Sequence, residues 1–309
     1  VWKDPIFHSL LLKLCDFCLL DNQCPLPWRT SQIIPVPKKG DLSLASNYRG
    51  ISLLPIAAKI YNTLILNRLL PFVDPLLRNN QNGFRAGRST LSQILALRRI
   101  IEETKLCNLD AVFIFVDFSK AFESVDRSLM LEILALYGIP EQLIKAIQVL
   151  YTNTTATIYT PDGETQPIDI KAGILQGDTL APFLFILVVD YILRMSVDQI
   201  PDKGLEVQPR RSSRYPARHL TDADFADDLA LISGSLANAQ SLLSSLEKAA
   251  NCVGLYLNES KTEYLNHCQT IDSDFSIKTI NGRELKCVQD YKYLGSFISE
   301  SVKDFKTRK

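Results

Sequence analysis

The sequence has no long apolar segment, no net charge, no internal repeat and very little histidine or methionine. Its longest apolar run, PFLFILVVDYIL from Pro182 to Leu193, carries Asp190 and is too short to span a bilayer, so a buried helix is expected there and no membrane partner. Seven cysteines, an odd and scattered set, argue against a disulfide framework and for reduced thiols in an intracellular compartment. Cys15, Cys18 and Cys24, with His8 nearby, have a faint zinc-like look, but no second Cys/His cluster follows them. Their segment, IFHSLLLKLCDFCLL, has helical apolar spacing, which favours buried thiols of a helix. The opening VWKDPIF has neither an initiator Met nor a signal sequence, so the chain reads as a piece of a longer polypeptide.

What is present is an apolar fraction of 46% over 309 residues, enough to bury a core in one large or two intimate units. The zero net charge conceals a segregation. Between Trp28 and Lys105 there are twelve Lys/Arg against four Asp/Glu, and the remainder is correspondingly acidic. A basic face suits a polymer of phosphates and an acidic site suits metal ions.

Along the chain, residues 1–24 read as a helix, and the Pro-punctuated stretch that follows as short strands around a loop near Lys38. AAKIYNTLILNRLLPFV and LSQILALRRIIEETK are helical in period, and QNGFRAGRST between them is a polar loop. AVFIFVDF is a buried strand, followed by two helices parted at YGIP and a hairpin turning at Pro161–Gly163. PRRSSRYPARHLTDA reads as an irregular loop, 235–252 as an amphipathic helix, Asn281-Gly282 as a hairpin turn and YKYLGSFIS as a last strand. Crossovers mixed with hairpins predict an α+β fold.

In FADDLALIS, Asp227 and Asp228 stand side by side within an apolar run, where unpaired charge is costly. Taken alone, the pair is equally well a turn between two strands. A third such aspartate, Asp117, ends the strand in FIFVDFSKAF. If the two strands are neighbours in one sheet, the three carboxylates share an edge. Hard divalent cations take oxygen ligands, and a pair of them serves phosphoryl displacement.

These blocks, in this order, resemble the reverse transcriptases of non-LTR (LINE-like) retrotransposons from about Trp28 to Ser299. FVDFSKAFESVDR and FADDLALI resemble the two catalytic motifs, and GILQGDTLAPFLFILVVDYILR the block beneath the incoming nucleotide. NYRGISLLP and QNGFRAGRST resemble fingers blocks, NESKTEYL a Lys-bearing palm motif and YKYLGSF the primer-grip region. Glu123 in KAFESV stands where the family usually has Asp.

The resemblance implies Asp117 and Asp227 as metal ligands, helped by the Phe118 carbonyl, with Asp228 as their adjacent carboxylate. It implies two Mg²⁺ or Mn²⁺ ions and attack of a primer 3′-hydroxyl on the α-phosphate of a dNTP. Phe122 aligns with the steric gate against a ribose 2′-hydroxyl, and Arg49, with Lys38 a weaker candidate, aligns with the group that grips the triphosphate. Gln176 and Gly177 align with the pair beneath the nascent base pair, Lys261 with a neutraliser or proton donor for pyrophosphate, and Arg85 and Arg88 with contacts to template phosphates.

The implied fold is a right-hand polymerase of fingers and palm, an antiparallel palm sheet flanked by helices, its thumb largely absent. The boundaries expected are an N-terminal helical extension at 1–27, fingers at 28–110, palm at 111–300 with a fingers-like insertion near 125–170, and the start of a linker at 301–309. An RNA template, a DNA primer or nicked target DNA and an endonuclease domain in the parent polypeptide are implied partners. Nuclear work, with a cytoplasmic ribonucleoprotein as a second location, is implied too. The alternative is a decayed or domesticated nucleic-acid-binding scaffold, although Asp117, Asp227, Asp228, Gln176 and Arg49 are all intact. An RNA-dependent RNA polymerase shares the palm logic and is disfavoured by Phe122 and by QNGFRAGRST.

Overall fold

The run AVFIFV forms the strand Val112–Val116, in which every residue is buried because it is the middle strand of a five-stranded sheet. Across that sheet the order is Asp222–Phe225, Asp228–Ser233, Val112–Val116, Glu263–Asn266 and Lys286–Val288. Every neighbouring pair is antiparallel except the last. Phe113 and Phe115 point to one face, where Ile94, Leu97 and Ile101 of the helix Thr90–Leu106 join Ala230, Ile232 and Leu265 in a single cluster. Burying each such side chain contributes roughly 1.5–3 kcal/mol. The alternate residues of the strand point the other way, and the helix Leu236–Cys252 packs against this strand and its neighbour Asp228–Ser233. Covering on both faces is the reason the strand shows no polar alternation. Ser89 and Ser235 cap the two helices, accepting from Ser92 N and Asn238 N at 3.2 Å each.

This computed structural model describes residues 4–38, 40–175, 177–268 and 275–298, so Gln176 and the 301–309 segment lie outside the described residues. The chain forms two compact units, one drawn from 1–76 and 122–187, the other, which holds the sheet above, from 77–121 and 188–309. In the first unit the strands Thr30–Pro37 and Tyr48–Leu53 form an antiparallel ladder, and Thr30–Ile33 also pairs in parallel with Thr155–Ile158. The helices Pro5–Leu20, Ile56–Val73, Arg127–Leu136 and Glu141–Tyr151 belong to the same unit. The Trp28 and Tyr61 rings meet at 5.4 Å between centroids in its core.

Three expectations change in detail. The first helix is shorter than 1–24: Asp4 caps it, accepting from Ile6 N at 2.8 Å, and it ends at Leu20, just before Asn22 turns left-handed. The segment read as a last strand is, over YKYLGSF, a tight hairpin of Lys292–Tyr293 with Ser296–Phe297, because Leu294 and Gly295 both take positive φ between them, and its Ser299 lies outside the described residues. The segment read as irregular ends in order, with Arg218–Leu220 pairing back on Leu205–Gln208. Among the described residues no helix is long and apolar enough to cross a membrane.

Candidate active site

The FADDLALIS segment is a hairpin. Phe225 pairs with Asp228, so Ala226 and Asp227 are its two turn residues, and Ala226 takes φ 56°. Asp227 is thus a turn residue, while Asp228 opens the second strand of the hairpin. Leu229 pairs in turn with Val116, which puts Asp117, the next residue, at the same sheet edge as the turn.

Backbone contacts fix Asp117 firmly. Its N–H donates to Thr262 Oγ1 at 3.3 Å, its carbonyl accepts from Asn258 N at 2.7 Å, and Phe118 pairs with Leu257 immediately after it. Its Oδ2 is buried and accepts no hydrogen bond, while Lys261 Nζ lies 3.4 Å away as an ion-pair partner. Asp228 reaches the surface, yet the protein packed round it restricts its hydration. That crowding, with the charges of Asp227 and Asp117, pushes its carboxyl up to about 6. Tyr293 of the YKYLGSF block donates to the Asp228 carbonyl at 2.9 Å, and Phe115 stacks on Tyr291 at 4.0 Å behind the strand.

A buried carboxylate oxygen whose ion-pair partner is the exposed Lys261, beside two further carboxylates, is a donor set of the kind a hard cation takes. Among the described residues no group of three His, Cys, Asp or Glu side chains is placed to hold a metal ion by itself. An open arrangement accords with ions that bind through one or two carboxylates and complete their shell with water and substrate phosphates.

The other expected site residues divide between the units. Lys261 stands beside Asp117, and Arg85 and Arg88 are in the same unit on the loop after Leu77. Their Nη1 atoms are turned toward that loop: Arg85 donates to Arg78 O and Gln81 O at 2.9 and 3.1 Å, and Arg88 to Asn79 O and Asn82 Oδ1 at 3.1 and 2.8 Å. Arg49, Lys38, Phe122 and Gly177 are in the first unit. Arg49 is exposed and pairs with Val36, and Lys38 follows on the facing strand, donating its N–H to Asn47 O at 2.7 Å. The half-buried Phe122 ring stacks on Phe185 at 4.4 Å, and its carbonyl accepts from Ile174 N at 2.6 Å.

Gly177 has φ 117°, and a Cβ there would stand 2.4 Å from the Ser52 carbonyl oxygen. Gly177→Ala is therefore expected to destabilise this unit by about 1–3 kcal/mol, read as a lower midpoint in urea at unchanged slope.

Sequence reasoning missed a group of polar residues in the second unit. The Arg78 guanidinium is buried and meets Asp198, Asp222 and Asp224 at 2.9, 2.7 and 3.0 Å, while its N–H donates to Asp190 Oδ1 at 2.7 Å. Gln81, fully buried, accepts from the N–H of Ala226 at 2.8 Å. The only sequence signal for either was the number of aspartates in LTDADFADD, which needs a cation nearby.

The family described as reverse transcriptase (RNA-dependent DNA polymerase) matches residues 36–298. The chain belongs to this family. This reverse transcriptase domain is 28% identical over 245 residues to the Pol polyprotein of a type-1 R2 element of Popillia japonica, covering 79% of this chain and 33% of that protein. It is 26% identical over 289 residues to the RNA-directed DNA polymerase of the mobile element jockey of Drosophila melanogaster, covering 90% of this chain and 30% of that protein. The expected kinship with non-LTR elements is borne out. Among solved structures it resembles the telomerase of Candida tropicalis, with TM-score 0.56 and 14% identity over 88% of this chain and 46% of that one. That likeness bears out the α+β fingers-and-palm fold. Polymerases of this family depend on divalent cations.

Proposed function

We propose that this reverse transcriptase domain extends a DNA primer on an RNA template, joining the primer 3′-hydroxyl to the α-phosphate of a dNTP with release of pyrophosphate. The observation that carries the reading is the Asp117 carboxylate, buried at Oδ2 and ion-paired with Lys261, beside the Ala226-Asp227 turn and Asp228. Asp117, Asp227 and the Phe118 carbonyl would hold two Mg²⁺ or Mn²⁺ ions. When bound, such a pair of ions activates the hydroxyl and neutralises the departing pyrophosphate. Asp228 adds negative charge without being required as a ligand. Lys261, already at Asp117, places an ammonium where the leaving group accumulates charge.

Arg49 and Lys38 would serve the triphosphate, and Gln176 and Gly177 the nascent base pair, where a glycine permits close backbone approach. The bonds that fix Arg85 and Arg88 to their own loop preorganise the two guanidinium groups for template phosphates. Phe122 blocks a 2′-hydroxyl. The partial coverage of the relatives supports a larger parent protein. An endonuclease domain in that parent, nicked target DNA and nuclear work, with a cytoplasmic ribonucleoprotein as the second location, belong to the same proposal.

The test is primer extension on an RNA template. Dideoxy-terminated primer and excess chelator should each stop incorporation, and Phe122→Ala should raise ribonucleotide use about tenfold or more relative to deoxynucleotide. A protein that binds primer and template tightly yet adds no nucleotide with Mg²⁺ or Mn²⁺ is instead a scaffold.

A further inference from the structure

The hairpin turn that presents Asp227 is not self-supporting. Ala226 sits at φ 56°, a region that costs a residue with a Cβ about 1–2 kcal/mol. Nothing in a two-residue turn of Ala and Asp compensates for it. The compensation comes from the loop at Asn80–Gly83, more than 140 positions earlier in the chain. Gln81 Oε1 accepts from Ala226 N at 2.8 Å and from Gly83 N at 2.7 Å, and Gln81 Nε2 lies 3.5 Å from the Ala226 carbonyl. One side chain thus addresses both polar groups of the strained residue.

The loop is laid along the hairpin for this purpose. Asn82 N donates to Asp224 O at 2.9 Å and Asp224 N to Asn80 O at 3.2 Å, so Gln81 bridges Asp224 as a strand would. Asn80 Nδ2 adds a bond to Asp222 O at 3.1 Å. Gly83 lets the loop close on the turn, since a Cβ there would stand 2.3 Å from Ala226 N. Gln81 itself is 0% exposed, so its amide has no use in solvent.

We propose that Gln81 is a positioning residue for the polymerase reaction: it sets the height and orientation of Asp227 by clamping the peptide groups of Ala226. This rests on the carboxylate reading above. A group that acts only through Asp227 should alter catalysis and cation affinity while leaving nucleotide recognition alone. A displacement of about 1 Å at a reacting centre costs about 10²-fold in rate.

Gln81→Met keeps the volume and removes the acceptor. Gln81→Glu keeps an acceptor oxygen for both N–H groups. In the purified protein, Gln81→Met is expected to lower the single-turnover rate at saturating dNTP by about 10²-fold with the dNTP KM within threefold of the parent. Without substrate, Mn²⁺ titration should show about tenfold weaker binding, and hydrogen exchange in 222–233 should accelerate. Burial beside Asp224 keeps the carboxyl of Gln81→Glu protonated and so close in shape and hydrogen bonding to the amide. This variant should stay within about tenfold of the parent rate and keep slow exchange.

Parent-like rate and Mn²⁺ affinity in Gln81→Met would overturn the proposal, as would Gln81→Glu falling as far as Gln81→Met. If Gln81→Met does not fold, the Gln81→Glu arm decides in the same sense. An inactive parent protein would count against the polymerase reading, and the Mn²⁺ and exchange measurements would still decide on Gln81.

Discussion

Asp117→Asn is expected to lower the rate of nucleotide addition by about 10³-fold or more, equivalent to about 4 kcal/mol in the barrier. The substitution conserves shape and removes a charge. Asp117 Oδ2 is buried and accepts no hydrogen bond, so an amide there offers a hard cation either a neutral oxygen or a nitrogen that repels it. The strand Val112–Val116 and the bonds from Thr262 and Asn258 act on the backbone, and they are indifferent to the change. The ion pair with the largely exposed Lys261 is lost, a cost of about 0–1 kcal/mol that relief of repulsion among the carboxylates offsets, so stability should not fall. In the absence of cations it should rise, because restricted hydration and the neighbouring charges of Asp227 and Asp117 already burden Asp228. The expected pair of results is an inactive protein with an equal or higher Tm, the pattern of a group retained for chemistry at a cost in stability. Single-turnover extension beside a calorimetric melt tests it. A variant that loses both activity and Tm would mean that Asp117 serves the fold.

How much of this was legible in the sequence follows from where each charge sits. Asp117 and Asp227 stood out because each interrupts or ends an apolar run, and a buried run fixes its strand in a sheet so tightly that the edge position follows. The Gly177 position was legible through its block, and its crowding against Ser52 adds the physical reason. Arg78 and Gln81 were not legible. Both sit in the polar stretch LLRNNQNGFRAGRST, where a buried Arg and a solvated Arg look alike, and their partners lie more than 100 positions away. Their function is visible only once the loop is seen against the strand Asp222–Phe225. The same limit explains YKYLGSF: nothing about Leu294 announces a positive φ, which the hairpin imposes on it. Arg85 and Arg88, singled out for contacts to template phosphates, are also bonded through Nη1 to their own loop, Arg88 while remaining exposed, and nothing in the sequence announced those bonds.

Arg78→Met should be the most damaging change to the fold. Removing one partner of a buried ion group costs about 3–5 kcal/mol, since the remaining charges lose their compensation. Here two carboxylates, Asp222 and Asp224, are fully buried and both face the guanidinium, with Asp198 as its third partner nearer the surface. Burial alone would push Asp222 up, but Arg78 holds it below the usual carboxylate range. Burial and the Asp222 charge raise Asp224 well above that range. Arg78→Lys is expected to recover only part of the loss, because an ammonium cannot span three carboxylates as a planar fork does. The loss also has a definite pH dependence. Without Arg78, burial and mutual repulsion raise the folded-state pKa of Asp222 as well as that of Asp224. Groups raised in the folded state destabilise the fold as pH rises through the interval between their unfolded and folded values. The deficit of Arg78→Met relative to the parent should therefore be largest at pH 8 and shrink on acidification toward pH 5. Denaturant titrations at the two pH values measure it directly. An equal deficit at both would show that Arg78 contributes through packing of its aliphatic stem, not through its charge.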